Sequence, residues 1–488
     1  MHILFAAAEA IPYAKRGGLA DVVGSLPYAL RRLDVDARIM MPLYGFIDRD
    51  RYNITHEMTF QLPRPTGTAD VEIWKLVADE MPIYFIKSWP FFGDEFDVYT
   101  EWKWDVPRFI FFNQAVMAAC EQLKQAEAWF PDVIHVNDWH TGLIPFFLDE
   151  SRHDAAWSRV ASVLSIHNIA HQGEHVGGWL WELGIPGRHH PDLVYQGLTD
   201  NMLAIAIAYS DMVSTVSPRY AIEIQYPYMG YGLDGLIKTR SDDLYGILNG
   251  LDVDRFNPET DPVIESRFNA ENFREKRPPN KHKLQESVGL PVRDETFVIG
   301  IVTRIEWQKG LDLVRDGIRP FLTEADTQFI LLGSGDPDLS ADMAKLVSDF
   351  EFKSRAIFGY DAALAQRIYA GCDIFLMPSH FEPCGIGQMI AMRYGALPLV
   401  RETGGLADTV VNYDNGPADV GTGFVFSWEE PQALLNTVRW AYQTFRNRQD
   451  AWQRMQQRAM QMDFSWDKSA RAYITLYEKA IKKRRETA

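Results

Sequence analysis

Short apolar runs alternate with amphipathic stretches along most of the chain, which predicts parallel β-sheets joined by crossover helices. In the first half the strand-like runs cover residues 3–8, 37–41, 71–76, 83–86, 133–136, 162–166 and 212–215. After the first run, Leu19, Val22, Val23, Leu26, Leu30 and Leu33 recur at helical spacing, with Pro27 expected to bend or break that helix. From 257 to 291 the texture changes: prolines at 258, 262, 278 and 279 stand among many charges, as in a linker with a short helix. A second alternating series covers 297–302, 329–332, 356–358, 374–377 and 397–400, and residues 431–483 look helical. The pattern therefore predicts two α/β domains: 1–257, then a linker over 258–291, then 292–465. Residues 466–488 are expected to form a C-terminal helix that packs back on the first domain and ends in a solvated basic tail.

With 488 residues the chain exceeds a single ordinary core, in line with that division. Its net charge of −17 argues against nucleic acid and anionic membranes as partners, since both need a basic face, but not against a neutral polysaccharide. Three cysteines without paired spacing exclude a disulfide framework and fit a reducing compartment. No apolar run is long enough for a membrane span. The chain opens directly on a strand-like run, so no signal or transit peptide is expected and the expected location is the cytoplasm.

In open α/β sheets, ligands bind beyond the carboxyl ends of the strands, so the residues that follow each run carry the candidate chemistry. The pentapeptide Gly-Gly-Leu-Ala-Asp occurs twice there, at 17–21 and 404–408. A Gly-Gly turn ahead of a helix can bring backbone N–H groups close to an anion. Glu9 follows the first run, and Lys15 adds a cation beside the first turn. Neither turn is a Walker A loop or Gly-x-Gly-x-x-Gly, which weakens a nicotinamide oxidoreductase reading. Asn137, Asp138, Trp139 and His140 follow the run at 133–136, and His167 with Asn168 follow that at 162–166. Arg304 and Lys309 share one strand-to-helix loop and together suit a leaving diphosphate. Glu382 sits between Phe381 and Pro383, a held carboxylate suited to sugar hydroxyls. The Asp-x-Asp triplets at 34–36, 252–254 and 336–338 are too short to argue for a metal, and Arg304 with Lys309 would carry the charge instead.

Taken in order, Lys15-x-Gly-Gly-Leu, 137–140, His167-Asn168, 216–218, 249–252, 304–310, 379–385 and 403–408 resemble bacterial glycogen synthases and plant starch synthases of glycosyltransferase family 5. The resemblance implies a GT-B architecture, two Rossmann-like domains with parallel sheets facing a central cleft. It implies a retaining transfer of glucose from ADP-glucose to the non-reducing end of an α-1,4-glucan or maltooligosaccharide, with no metal and no bound cofactor. By position, Glu382, His167, Arg304, Lys309 and Asp138 would be catalytic. Lys15, Gly17, Gly18, Asn249, Tyr360, Thr403, Gly404 and Gly405 would bind the donor, and Asp21, Trp139 and Asn168 would line the acceptor side. Three departures stand out. Ile390 occupies the place where broader relatives carry a second Glu. Gly387 stands where the family often has Thr. Arg16 adds a cation beside Lys15. The alternatives are a related transferase that uses UDP-glucose or a small acceptor, and a non-catalytic glucan-binding or priming protein. The presence of Lys15, Arg304, Lys309 and Glu382 weighs against the latter.

Overall fold

The computed structural model describes all residues except 66, 417, 418 and 488. The chain forms two compact units, Met1–Gly250 with Trp466–Ala488, and Leu251–Ser465.

The first unit is built on a nine-stranded sheet. Its strands are β1 (His2–Ala6), β2 (Asp36–Pro42), β3 (Thr55–Arg64), β4 (Gly67–Ala78), β5 (Met81–Lys87), β6 (Val133–Asn137), β7 (Ala161–Ile166), β8 (Met212–Thr215) and β9 (Leu244–Gly246). They lie in the order β3-β4-β5-β2-β1-β6-β7-β8-β9. From β5 through β9 every pairing is parallel, with Phe5 opposite Ile39 on one side and His135 on the other. The wholly parallel expectation fails at one edge, where β3 and β4 form an antiparallel hairpin and β4 also runs antiparallel to β5. β3 alternates exposed with half-exposed residues and has none buried, so it carries no apolar run. Such polar edge strands resist pairing with other chains.

The expected helix over 19–33 divides into Gly18–Val23 and Leu26–Arg31, and Pro27 lies in the first turn of the second piece. There its missing N–H costs nothing, which is why the chain breaks before it and not around it. The helix Trp466–Thr487 belongs to the first unit. Ser469 Oγ donates to the Leu248 carbonyl at 2.6 Å, and the Tyr477 hydroxyl lies 2.8 Å from His135 Nδ1 beneath the sheet. Its basic end is not a free solvated tail. Arg484 pairs with buried Asp211, and Lys483 Nζ lies 2.6 Å from Asp243 Oδ1.

The second unit holds six parallel strands: β10 (Phe297–Ile305), β11 (Thr327–Gly335), β12 (Ser354–Phe358), β13 (Ile374–Met377), β14 (Leu397–Arg401) and β15 (Phe424–Phe426), in the order β12-β11-β10-β13-β14-β15. Residues 258–291, expected as a linker, are part of this unit. The helix Pro278–Ser287 packs against Ala362–Gly371, and the buried Lys281 Nζ donates to Asp373 Oδ2 at 2.8 Å. Buried Arg277 donates to the Tyr394 carbonyl at 2.8 Å. Charges that suggested a solvated connector are here neutralised inside a core, something composition alone does not reveal.

Candidate active site

In the first unit the candidate residues gather beyond the carboxyl ends of adjacent strands. β1 leads to Glu9 and the first Gly-Gly loop, β6 to Asp138 and Trp139, β7 to His167 and Asn168, and β9 to Asn249. The sheet order β1-β6-β7 makes the first three loops neighbours.

Glu9 organises this cluster. Its buried carboxylate accepts from the Arg16 amide at 2.5 Å, the Gly17 amide at 2.9 Å and the Tyr99 hydroxyl at 2.6 Å. The Gly17 N–H, expected to face a diphosphate, is therefore committed to a protein carboxylate. Gly18 has open space where a side chain would stand. Lys15 Nζ donates to both oxygens of Asp21, at 2.6 and 2.7 Å, so an expected donor residue and an expected acceptor residue form one ion pair. Arg16 pairs with Asp97. Tyr99 lies in a stretch with no periodic signal, and burial beside Glu9 raises its hydroxyl pKa well above the usual value. Glu9 was legible only as a lone charge after an apolar run. Behind them, fully buried Arg108 donates to Asp105 at 2.6 Å and to the Val98 carbonyl at 2.6 Å, holding the loop that carries Tyr99.

Asp138 sits at φ 53°, and its Oδ1 accepts from the His167 amide at 2.7 Å. Burial pushes its carboxyl up to about 7, opposed by the amides of His167 and Asn168 and assisted by Glu9. His167 Nε2 lies 2.9 Å from Asn137 Oδ1, and desolvation lowers its pKa to about 3, so the ring is neutral. Asn168 Oδ1 accepts from the Ala170 amide at 3.1 Å and shapes the same turn. Trp139 is buried against Phe109 and His140, so it packs more than it presents a face. Asn249 is buried, and among the described residues its Oδ1 has no hydrogen-bond partner, which leaves an acceptor ready for a ligand donor.

In the second unit, Arg304 lies within β10, one residue before its end, and not on the following loop as expected, because the strand runs on through Ile305; β10 leads to Lys309, β12 to Tyr360, β13 to Glu382, and β14 to Thr403. Lys309 Nζ donates to Glu382 Oε2 at 2.7 Å, and Ser379 Oγ donates to the same oxygen at 3.1 Å. Both side chains of the pair are largely buried. Arg304 is exposed and donates to Glu306 at 2.7 Å, so each of the two cations carries its own carboxylate. Tyr360 is 88% exposed. Of the Asp-x-Asp triplets, Asp36 is bound by the side chains of Arg31, Arg38 and Trp129, while Asp252 and Asp336 accept from backbone amides of their own turns. Asp336 Oδ1, for example, accepts from the amides of Asp338 and Leu339. Among the described residues no group of three or more His, Cys, Asp or Glu side chains is arranged to hold a metal, and no helix is long and apolar enough to cross a membrane.

The second Gly-Gly turn differs from its expectation. The Gly405 N–H donates to the carbonyls of Glu382 and Pro383, at 3.1 and 3.2 Å. Gly404 has φ 42°, and a Cβ there would stand 2.0 Å from the Glu382 carbonyl oxygen. At Gly405 it would stand 2.1 Å from the Cys384 carbonyl oxygen. The pair thus packs closely against the Glu382 loop and fixes it, with the Gly405 amide committed to that loop. Thr403, the N-cap residue of the following helix, is buried ahead of it. Gln388, which sequence reasoning passed over, completes the clamp: its Nε2 donates to the carbonyls of Cys384 and Gly385 and to Thr409 Oγ1, each at 3.1 Å. At Gly387 a Cβ would meet the Phe375 ring at 2.9 Å, so a threonine there would need that ring to shift.

Residues 2–239 match the family described as starch synthase catalytic domain, and residues 296–444 match glycosyl transferases group 1. A glycogen synthase of Trichodesmium erythraeum is 41% identical over 99% of each chain. One from Thermotoga maritima is likewise 41% identical over 99% of each. The catalytic domain of starch synthase IV from Arabidopsis thaliana, solved bound to ADP and acarbose, superposes with a TM-score of 0.87 at 32% identity and covers 99% of each chain. Sucrose-phosphate synthase from Thermosynechococcus elongatus, at 15% identity and a TM-score of 0.60, shares the fold. The loops that carry Lys15, Asp138, His167, Lys309 and Glu382 thus lie within a chain that is similar to these enzymes from end to end, and it belongs to the glycogen synthase family of GT-B glycosyltransferases.

Proposed function

We propose that the protein transfers glucose from ADP-glucose to the non-reducing end of an α-1,4-glucan, with retention at the anomeric carbon and release of ADP. The observation that carries this reading is the Lys309–Glu382 pair, a largely buried cation and carboxylate held 2.7 Å apart at the carboxyl ends of adjacent strands. When the glycosidic bond to phosphate breaks, negative charge grows on the diphosphate and positive charge on the sugar. A fixed cation and a fixed carboxylate stabilise both without reorganising.

In this reading Lys309 turns from Glu382 toward the leaving phosphate, and Arg304 exchanges Glu306 for the same group. Glu382 then accepts from hydroxyls of the transferred glucose. Tyr360 lies beside the adenine or ribose. Asp138 orients His167 through its amide, which sets the His167 carbonyl under the anomeric centre. Neutral His167 adds no positive charge where the sugar becomes cationic. Asn249 offers its unpartnered oxygen to a sugar hydroxyl, and Lys15 and Gly18 approach the donor phosphates. Two protein cations suffice for the charge, so the reaction needs no metal. The donor and glucan assignment is supported by the plant relative solved with ADP and acarbose. The enzyme is proposed to work in the cytoplasm.

The test is purified protein with radiolabelled ADP-glucose or UDP-glucose and either glycogen or maltose. Incorporation from ADP-glucose into α-1,4-glucan is expected. Incorporation from UDP-glucose alone overturns the donor assignment, and none from either donor overturns the transferase reading for these substrates.

A further inference from the structure

We infer that His380 is a positioning residue that sets the geometry of the Lys309–Glu382 pair by locking together the two loops that carry them. The inference rests on the glucosyl transfer proposed above. His380 belongs to the 378–385 loop, two residues before Glu382, and its side chain turns away from the pair. Nδ1 lies 2.5 Å from Glu429 Oε1, and Nε2 lies 2.8 Å from Asp312 Oδ1. Asp312 is in the first turn of the helix Leu311–Gly317, three residues after Lys309. Glu429 closes the loop ahead of the helix Pro431–Asn447. The ring is stacked on Trp307 at 4.2 Å between centroids and 9° between planes, and Trp307 lies two residues before Lys309.

The backbone repeats the connection. The His380 amide donates to the Gln308 carbonyl at 2.9 Å, and Gln308 Nε2 donates to the Phe381 carbonyl at 3.2 Å. Arg401 donates to the carbonyls of Ser379 and His380 and lies 3.8 Å from Glu429. Two carboxylates and one indole thus hold the imidazole, with the Arg401 guanidinium beside Glu429. Only a doubly protonated ring can donate to carboxylates on both nitrogens. His380 touches neither expected substrate, so its effect must pass through the Lys309–Glu382 geometry, where displacements of about 1 Å are costly to turnover.

The experiment measures kcat and KM for ADP-glucose, with a thermal melt, for the full-length wild type, His380→Gln and His380→Arg. Gln donates in one direction only. Arg is planar, charged and able to donate in two directions while stacking on Trp307. His380→Gln is expected to lower kcat by about tenfold or more with KM within about threefold. His380→Arg should recover kcat to within about threefold of wild type. Wild-type kcat in His380→Gln, or an Arg variant as slow as the Gln variant, overturns the inference. If His380→Gln proves unstable in the melt, Glu429→Gln removes one carboxylate and leaves the ring in place. It should lower kcat in the same sense, and unchanged kcat there overturns the inference too. A wild-type chain that transfers no glucose overturns the glucosyl-transfer reading and this one with it. An active wild type with indifferent His380 variants overturns this one alone.

Discussion

Lys309 and Glu382 are 73 positions apart in the chain, yet their side chains meet at 2.7 Å in a largely buried setting. Lys309→Ala or Glu382→Ala should therefore lower kcat by about 10²–10³-fold, the usual loss for one fixed charge aimed at a developing charge. Steady-state kinetics on each purified variant check this, and activity within a factor of about three of wild type would remove the pair from the mechanism. Asp138 gives a second residue-scale expectation. Burial raises its carboxyl from 3.8 to about 7. A carboxyl held above its unfolded value favours the protonated fold, so its contribution is full below the unfolded value and is lost as pH rises through about 7. Asp138→Asn keeps an acceptor for the His167 amide without the charge. Its melting temperature relative to wild type should rise by a few degrees between about pH 5 and about pH 8. A constant difference across that range would show that Asp138 does not titrate there.

At the scale of elements, the two Gly-Gly-Leu-Ala-Asp segments share a sequence and little else. The first caps the short helix Gly18–Val23, and its Gly17 amide is bound to Glu9. The second packs against the Glu382–Cys384 backbone. Gly404→Ala needs backbone to move and should destabilise the second unit by about 1–3 kcal/mol with loss of activity. Gly18→Ala meets nothing and should fold normally, with any loss confined to donor binding. Denaturant melts and ADP binding on the two variants discriminate, and equal destabilisation would contradict the packing. The strands of both sheet centres were legible because a buried parallel strand is a continuous apolar run. β3 was not, because its residues never form one, and neither β9 nor β15 exceeds three residues. The folded segment 258–291 hid behind Arg277 and Lys281, whose partners Tyr394 and Asp373 lie about a hundred positions on.

For the whole molecule, a net charge of −17 and a proposed neutral acceptor lead to a salt expectation. KM for glycogen should change less than about twofold between about 50 and 500 mM salt, because no long-range attraction steers an uncharged glucan. A steep slope in an activity series would point to a charged acceptor instead. The alternating pattern, the acidic charge and the ordered motifs determined the α/β class, the two-part chain, the strand-end loops that hold the candidate residues, and the family resemblance. All of these are properties of short stretches and of their order, which periodicity and spacing carry directly. Tertiary structure decided which charges meet: Lys309 with Glu382, Lys15 with Asp21, Arg304 with Glu306. It also decided that Glu9 and the Glu382 carbonyl occupy amides that had looked free for a ligand, and that His380 clips two loops. Hydrogen bonds are saturable and directional. Whether an amide or a cation is available therefore depends on which strand ends the sheet order makes neighbours, and no local stretch of sequence contains that order.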